Sequence, residues 1–328
     1  MKAIVCTRYR KPESLRLQET SKPTPRDNEV LVRIHASSVN YNILVYTSGK
    51  PLFARMKTGL FRPKHRIPGG DIAGTVEAVG GAIAQFKPGD EVFGETDAYG
   101  YGAYAEYVCV PENALVIKPA NLTYEEAATV PQAALVALQA LRDKGQLQPG
   151  QKVLIYGASG GIGTFAVQIA KAFGAEVTGV CGTRNLEMVR SIGADYAIDY
   201  TKEDFAQSGQ LYDLIVATAG YRPIEDYARA LKPGGIYVVT GCAMKGPKAM
   251  RQLMEAGFKG PRLAKATGKK FRILSLKFKQ EDLVFLKELI EAGKVKPVID
   301  RRYPLSEVGE ALRYYGEGHS SGKVVITI

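Results

Sequence analysis

The run Gly157-Ala158-Ser159-Gly160-Gly161-Ile162-Gly163 follows the apolar strand Lys152 to Tyr156 and leads into a helical pattern. Glycines at such a junction let the backbone turn tightly and approach a pyrophosphate, whose charge the free amides of a helix N-terminus bind. The chemistry is dinucleotide binding, with Ala158, Ser159, Gly160, Gly161, Ile162 and Gly163 as contacts. About 20 residues further on, an NAD site places an acid on the ribose hydroxyls. Here the next strand ends Val180-Cys181-Gly182-Thr183-Arg184, with a cation and no acid. A small residue, a hydroxyl and a guanidinium suit a 2′-phosphate, so NADPH is expected over NADH, bound through Cys181, Thr183 and Arg184. The alternative is that Arg184 merely opens the next helix in solvent.

Elements of two kinds must position these groups. The capping box Thr123-x-x-Glu126 opens a helix through Ala127 to Leu141. A strict alternation follows: helix Ile162 to Phe173, strand Glu176 to Cys181, helix Asn185 to Ile192, short strand Tyr196 to Ile198 and a helix around Lys202 to Gln207. Strand Leu214 to Ala217, a helix ending at Leu231, strand Ile236 to Thr240, a basic helical stretch and strand Phe271 to Leu276 complete it. Alternating apolar strands and helices mean a doubly wound parallel α/β sheet covered on both faces. The first ~120 residues carry short β-branched runs separated by turn clusters, the pattern of a rolled, mostly β domain. The tail after ~278 returns to that domain. The boundaries are therefore 1–122 with 278–328, and 123–277.

The 328 residues, 45% hydrophobic and 23% charged, fit a soluble globular chain of about two domains and exclude disordered and collagen-like classes. Cys6, Cys109, Cys181 and Cys242 stand apart with no C-x-x-C pair, which argues against a disulfide framework or zinc knuckle and for a reducing, cytoplasmic setting. No apolar stretch approaches the ~18 residues of a membrane span, and MKAIVCTRYRKPE lacks a signal-peptide core. Net charge is +11, and Lys245 to Lys279 holds eleven Lys or Arg against Glu255 alone. That segment reads as a solvated rim; the sharper readings are a surface for anionic membrane, an acidic partner or a phosphate-bearing ligand. No nucleic-acid motif accompanies it. His35, His65 and His319 are too scattered for a metal site.

Pro68-Gly69-Gly70-Asp71-Ile72-Ala73-Gly74-Thr75-Val76-Glu77-Ala78-Val79-Gly80, then Phe86-Lys87-Pro88-Gly89-Asp90-Glu91-Val92 and the glycine loop, resemble the medium-chain dehydrogenase/reductase superfamily over essentially the whole length. Within it the chain is similar to the zinc-free, zeta-crystallin-like NADPH:quinone oxidoreductases. The resemblance implies a GroES-like, mostly β catalytic domain beside a Rossmann NADP-binding domain. Zinc alcohol dehydrogenases carry Gly-His-Glu where Gly69-Gly70-Asp71 stand, and a ligand cysteine where Asn40 stands. Without His or thiolate an ordinary tetrahedral zinc site is not built, so no metal is expected.

Hydride transfer without metal needs an acceptor that is already electrophilic, a quinone or a polarised enone. The resemblance implies that Asn40 and a tyrosine line the pocket, with Tyr46 the candidate and Tyr41 the runner-up; the bland alternative is that Asn40 caps a turn. It further implies Thr129 at the carboxamide, Tyr200 with Arg184 at the 2′-phosphate, and Ala217, Ala219, Gly220, Thr240 and Gly241 beside the nicotinamide. Lys323 matches a lysine that reaches the cofactor. The basic insert Lys50 to Pro68 walls the entrance or is a surface loop, and the loop Tyr99-Gly-Tyr101-Gly-Ala-Tyr104 stacks on a flat acceptor or packs.

Three functions compete on this reading: an NADPH-dependent quinone reductase, an NADPH-dependent enone or alkenal reductase, and a non-enzymatic NADPH-binding protein docked through the basic segment. Relatives pair the strand Phe271 to Leu276 across a dimer, so a homodimer is expected.

Overall fold

A computed structural model describes residues 1–240 and 247–328, with side chains described outside 241–250. Strands β1 (Lys2–Ile4) and β2 (Leu17–Glu19) form a small antiparallel pair. They precede the rolled sheet, which contains β3 (Glu29–Ser38), β4 (Asp71–Val79), β5 (Glu91–Glu95), β6 (Tyr107–Pro111) and β7 (Leu115–Ile117). Between β3 and β4 the chain makes α1 (Tyr41–Ser48) and the single turn α2 (Arg55–Thr58) inside the basic insert. The alternating valines and isoleucines of β3 bury Val30, Val32 and Ile34 in the same core as Ile72, Val76, Val92 and Leu115.

The capping box forms as expected at α3 (Tyr124–Ala127), with Thr123 and Glu126 exchanging both bonds. The single helix expected over 127–141 is instead broken. Pro131 has no N–H to donate in a helix interior, so the chain restarts with Pro131 in the first turn of α4 (Pro131–Gln139).

The cofactor unit runs β8 (Lys152–Tyr156), α5 (Gly161–Ala172), β9 (Glu176–Cys181), α6 (Leu186–Ser191), β10 (Tyr196–Asp199), β11 (Tyr212–Ala217), α7 (Ile224–Ala230) and β12 (Leu231–Val239). After the undescribed residues come α8 (Pro247–Met254), α9 (Gly260–Thr267) and β13 (Lys270–Ile273). All six strands pair in parallel in the order β10-β9-β8-β11-β12-β13. The order reverses at β8, whose C-terminal end opens the crevice where such sheets bind ligands. No helix forms over Lys202 to Gln207; Asp204 instead receives the Ala206 amide in a turn while Phe205 is buried.

Helix α10 (Gln280–Glu291) packs Leu283, Leu286 and Ile290 into the core that also holds α4 and α5. The chain then rejoins the rolled sheet through β14 (Ile299–Pro304), α11 (Val308–Gly316) and β15 (Lys323–Thr327), β15 lying antiparallel to β3. Segment 278–298 thus serves both units. Among the described residues no helix is long and apolar enough to cross a membrane.

Three cations of the basic segment are tied down. Arg251 holds the buried Glu255 at 2.9 Å, Lys259 holds Glu225 at 2.9 Å, and Lys269 donates to the Ala228 carbonyl at 2.5 Å. Leu253 packs inward while Met254 and Phe258 face out.

Candidate active site

Tight backbone geometry makes the glycine loop. Gly157 has a φ of 88°, and a Cβ on Gly163 would lie 2.0 Å from the Gly157 carbonyl oxygen. Gly160 is the N-cap of α5 without any side-chain cap, and the first helical bond runs from the Thr164 amide to its carbonyl. The amides of Gly161, Ile162 and Gly163 therefore precede the first turn's bonding, the arrangement that receives an anion. Ala158 is buried beneath the loop, and a Cβ on Gly161 would meet Lys323 Cδ at 2.8 Å. The Gly322 amide donates to the Ser159 carbonyl at 2.8 Å, which ties the loop to the catalytic domain.

At the end of β9, Thr183, Arg184 and Tyr200 are exposed around Gly182, and a Cβ on Gly182 would lie 3.6 Å from the Tyr200 ring. Cys181 is buried, and burial pushes its thiol up to about 11. The Arg184 guanidinium donates to the His319 carbonyl, so its head lies over the segment that leads to Lys323. An acid is close by: Asp199 ends β10. Its carboxylate already accepts from the Thr183 hydroxyl at 2.6 Å and from the Thr201 hydroxyl and amide at 2.7 and 3.0 Å. Those bonds, the Thr183 hydroxyl foremost, hold its pKa below the usual carboxylate value.

The residues expected beside the nicotinamide lie at strand termini. The Thr240 amide bonds the Ala217 carbonyl at 3.0 Å, and the Thr218 hydroxyl bonds the Gly157 carbonyl at 3.1 Å. Ala219 follows, and Gly220 turns the chain with a φ of 76°. Thr129 is buried with its hydroxyl on the Glu126 carbonyl at 2.6 Å. Gly241 lies outside the described residues.

Asn40 occupies the N-cap position of α1, yet its side chain makes no capping bond. Its amide donates to Asp71 Oδ2 at 2.7 Å, and its carbonyl accepts from Lys323 Nζ at 2.5 Å. Asp71 is fully buried and also accepts from Ser38 Oγ at 2.6 Å and from the Gln132 amide at 3.0 Å. Lys323 Nζ stands 3.6 Å from Asp71 Oδ2 and 3.3 Å from the Val39 carbonyl oxygen. Burial lowers the Lys323 pKa, and the Asp71 charge opposes that shift.

Beneath this set lie Glu95 and Asp97. Asp97 accepts from Gln132 Nε2 at 2.8 Å and from the Asn42 amide. Burial first, then the neighbouring carboxylates, raises the pKa of both acids, so the pair keeps a proton where isolated carboxylates would not.

Tyr46 is placed differently from the expectation. It is buried, its hydroxyl donating to the His65 carbonyl at 2.8 Å and accepting from the His65 amide at 2.7 Å, and burial pushes it up to about 12. Its one proton is committed to the insert, which makes it a clamp and leaves it no donor for a substrate. Tyr41 opens α1 directly after Asn40 and is partly buried. In the aromatic loop, Tyr104 is buried with its hydroxyl on the Ser38 carbonyl at 3.2 Å, so it packs. Tyr101, at a φ of 66°, lies with its ring 4.3 Å from the Tyr46 ring and tilted 41° to it.

Two regions match family descriptions: residues 26–120 an alcohol dehydrogenase GroES-like domain, and residues 192–326 a zinc-binding dehydrogenase. The chain is 35% identical over 321 residues to a chloroplast envelope quinone oxidoreductase homolog of Arabidopsis thaliana, covering 93% of this chain and 91% of that one. It is 31% identical over 341 residues to an NADPH-dependent alkenal/one oxidoreductase of the same plant, covering 99% and 79%. A solved quinone oxidoreductase from Coxiella burnetii superposes with a TM-score of 0.85 at 29% identity, covering 100% and 99%. The fold and site define a two-domain NAD(P)H-dependent oxidoreductase. The chain belongs to the medium-chain dehydrogenase/reductase superfamily, in its quinone oxidoreductase branch.

One matching description implies zinc, and the residues here do not fit it. The space that a side chain at Gly70 would fill holds Asp97 Oδ1, 1.8 Å from the position of a Cβ. Asp71 is saturated by Ser38, Asn40, Gln132 and Lys323. Among the described residues, no group of three or more His, Cys, Asp or Glu is placed to hold an ion.

Proposed function

We propose that the chain reduces quinones with NADPH, without a metal. The observation that carries this reading is the buried Asn40, Lys323 and Asp71 set beside the glycine loop, at positions whose metal-binding counterparts are replaced. NADPH, when bound, supplies a hydride. The protein's part is to orient the acceptor, exclude water and stabilise charge as it develops on oxygen. Asn40 is locked at both ends of its amide, by Asp71 and by Lys323, and keeps its second N–H for an acceptor oxygen. One proton, added to the oxyanion that the hydride leaves, completes the reduction to a hydroquinone.

NADPH is preferred over NADH because Thr183, Arg184 and Tyr200 surround a 2′-phosphate position whose neighbouring acid, Asp199, is bonded inward. Ala158, Ser159, Gly160, Gly161, Ile162 and Gly163 hold the pyrophosphate; Thr129, Ala217, Ala219, Gly220 and Thr240 frame the nicotinamide, and Tyr41 lines the acceptor side. The relative acting on alkenals supports the same site reducing a polarised double bond as the second reading. The exposed edge strand β13 supports a homodimer paired across it, and the unpaired Cys6, Cys109 and Cys181 support a reducing, cytoplasmic setting.

The test is turnover of phenanthrenequinone and of hexenal by wild type and Asn40→Ala, with NADPH affinity measured alongside. Loss of an oxyanion donor is expected to lower kcat by about a hundredfold with NADPH affinity unchanged. An undiminished kcat removes Asn40 from the mechanism.

A further inference from the structure

The insert carries a cluster of outward-facing apolar side chains that the site does not use. Leu52, Phe53, Met56, Leu60 and Phe61 are all exposed, Met56 at 80% and Phe61 at 88%. Single exposed apolar residues are ordinary, but five large ones within one short insert mark an interaction surface. Lys57 among them and Arg62, Lys64 and Arg66 just after them are exposed cations, and no acid occurs from Lys50 to Gly70.

The insert is held firmly from beneath. Tyr46 clamps both backbone groups of His65, and the Lys64 amide donates to the Thr58 carbonyl at 2.8 Å. The Cys6 amide donates to the Arg66 carbonyl at 2.7 Å, and the Tyr9 hydroxyl bonds Thr58 Oγ1 at 2.8 Å. Arg55 lies 4.5 Å over the Tyr9 ring with its Nε on the Gly49 carbonyl at 3.1 Å. A segment so anchored presents its apolar side chains outward.

We propose that this insert docks the protein on an anionic lipid bilayer, with Leu52, Phe53, Met56, Leu60 and Phe61 entering the headgroup boundary and Lys57, Arg62, Lys64 and Arg66 facing the phosphates. Apolar side chains that insert beside cations that attract anionic headgroups are the two components of interfacial binding, and long basic side chains reach the headgroup plane while their stems stay in apolar surroundings. The occupant follows from the charge: an apolar protein partner alone would leave the cations unpaired. The insert also joins the site, because the Tyr46 that clamps it contacts the ring of Tyr101 beside the carboxylates. The function served is uptake of lipid-dissolved acceptors, and in that respect alone the proposal rests on the quinone reductase reading.

The chain has no tryptophan, so Phe61→Trp gives it a single reporter. Its emission is recorded with phosphatidylcholine vesicles, with phosphatidylcholine–phosphatidylserine vesicles, and with brominated lipid. The expected result is a blue shift and quenching on the anionic vesicles only, weakened by salt. Lys57→Gln with Arg62→Gln should weaken vesicle binding about fivefold per cation removed, and Phe53→Ser with Phe61→Ser should abolish it in sedimentation. Turnover of a water-soluble quinone is unchanged in all of these, which separates failure of docking from failure of the reductase reading. No shift on anionic vesicles overturns the proposal. So does a shift produced by protein concentration alone, which indicates a second copy, or by NADPH and quinone without lipid, which indicates a lid. Vesicle binding with an unshifted reporter assigns the contact to another surface and equally overturns it.

Discussion

Lys323→Met removes the ammonium 3.6 Å from Asp71 Oδ2 and deprives the Asn40 carbonyl of its donor. Lys323 is 2% exposed and Asp71 is 0% exposed, so solvent does not replace the lost partner. Coulomb's law at that separation, with an effective dielectric of about 20, gives an attraction of about 4 to 5 kcal/mol. Breaking a buried pair from one side costs about 3 to 5 kcal/mol, since the remaining charge stays buried. Here that charge faces Glu95 and Asp97 as well. The expected loss in urea unfolding is therefore about 3 to 5 kcal/mol for Lys323→Met. Asp71→Asn keeps the shape and removes the charge, and in the double variant no unpaired charge remains. The two single losses should exceed the double loss by at least about 1.5 kcal/mol, the coupling expected of groups in one network. Additive losses, or a Lys323→Met cost below about 1 kcal/mol, would refute the reasoning that an ion pair holds Asn40 in place.

Arg184→Ala is expected to raise the Kd for NADPH by about tenfold to a hundredfold, the value of a lost charged hydrogen bond, while NADH affinity stays within about twofold; equal losses for both would remove Arg184 from the 2′-phosphate. Glu95 has its pKa raised in the fold, so the folded state retains a proton that the unfolded chain releases. Stability from that group is full below the unfolded carboxylate pKa and is lost as pH rises toward the folded value, at about 1.4 kcal/mol per pH unit per retained proton. Urea midpoints across that window should fall for wild type and flatten for Glu95→Gln; parallel profiles would contradict it. Tyr46→Phe removes both bonds to His65 and should cost about 1 to 3 kcal/mol of stability with kcat retained. A large fall in kcat at unchanged stability would return Tyr46 to the chemistry.

The cofactor half was legible because its signals are local. The glycine loop between strand and helix, the basic strand end at Arg184 and the 2.0 and 3.6 periodicities each lie within a few residues of one another. The breaks at Pro131 and over 202–207 were readable in principle, from a proline that belongs in a first turn and from an aspartate that favours turns. The catalytic half was legible only in part, since its contacts join distant segments. Gln132 reaches Asp71 and Asp97, and Lys323 reaches Asn40 across 283 positions of sequence. Asn40 was found by resemblance, but its support by Asp71 has no sequence spacing that announces it. The clamp from Tyr46 to His65 was likewise hidden, because a backbone partner leaves no mark on residue type.

The central claim, metal-independent hydride transfer from NADPH to a quinone, is tested most directly by NADPH absorbance during turnover of phenanthrenequinone after exhaustive chelation. The account predicts saturable turnover that the chelator leaves unchanged, that NADH supports poorly, and that no simple alcohol with NADP reproduces in reverse. Activity lost to the chelator and restored by zinc, or alcohol oxidation in place of quinone reduction, would contradict it.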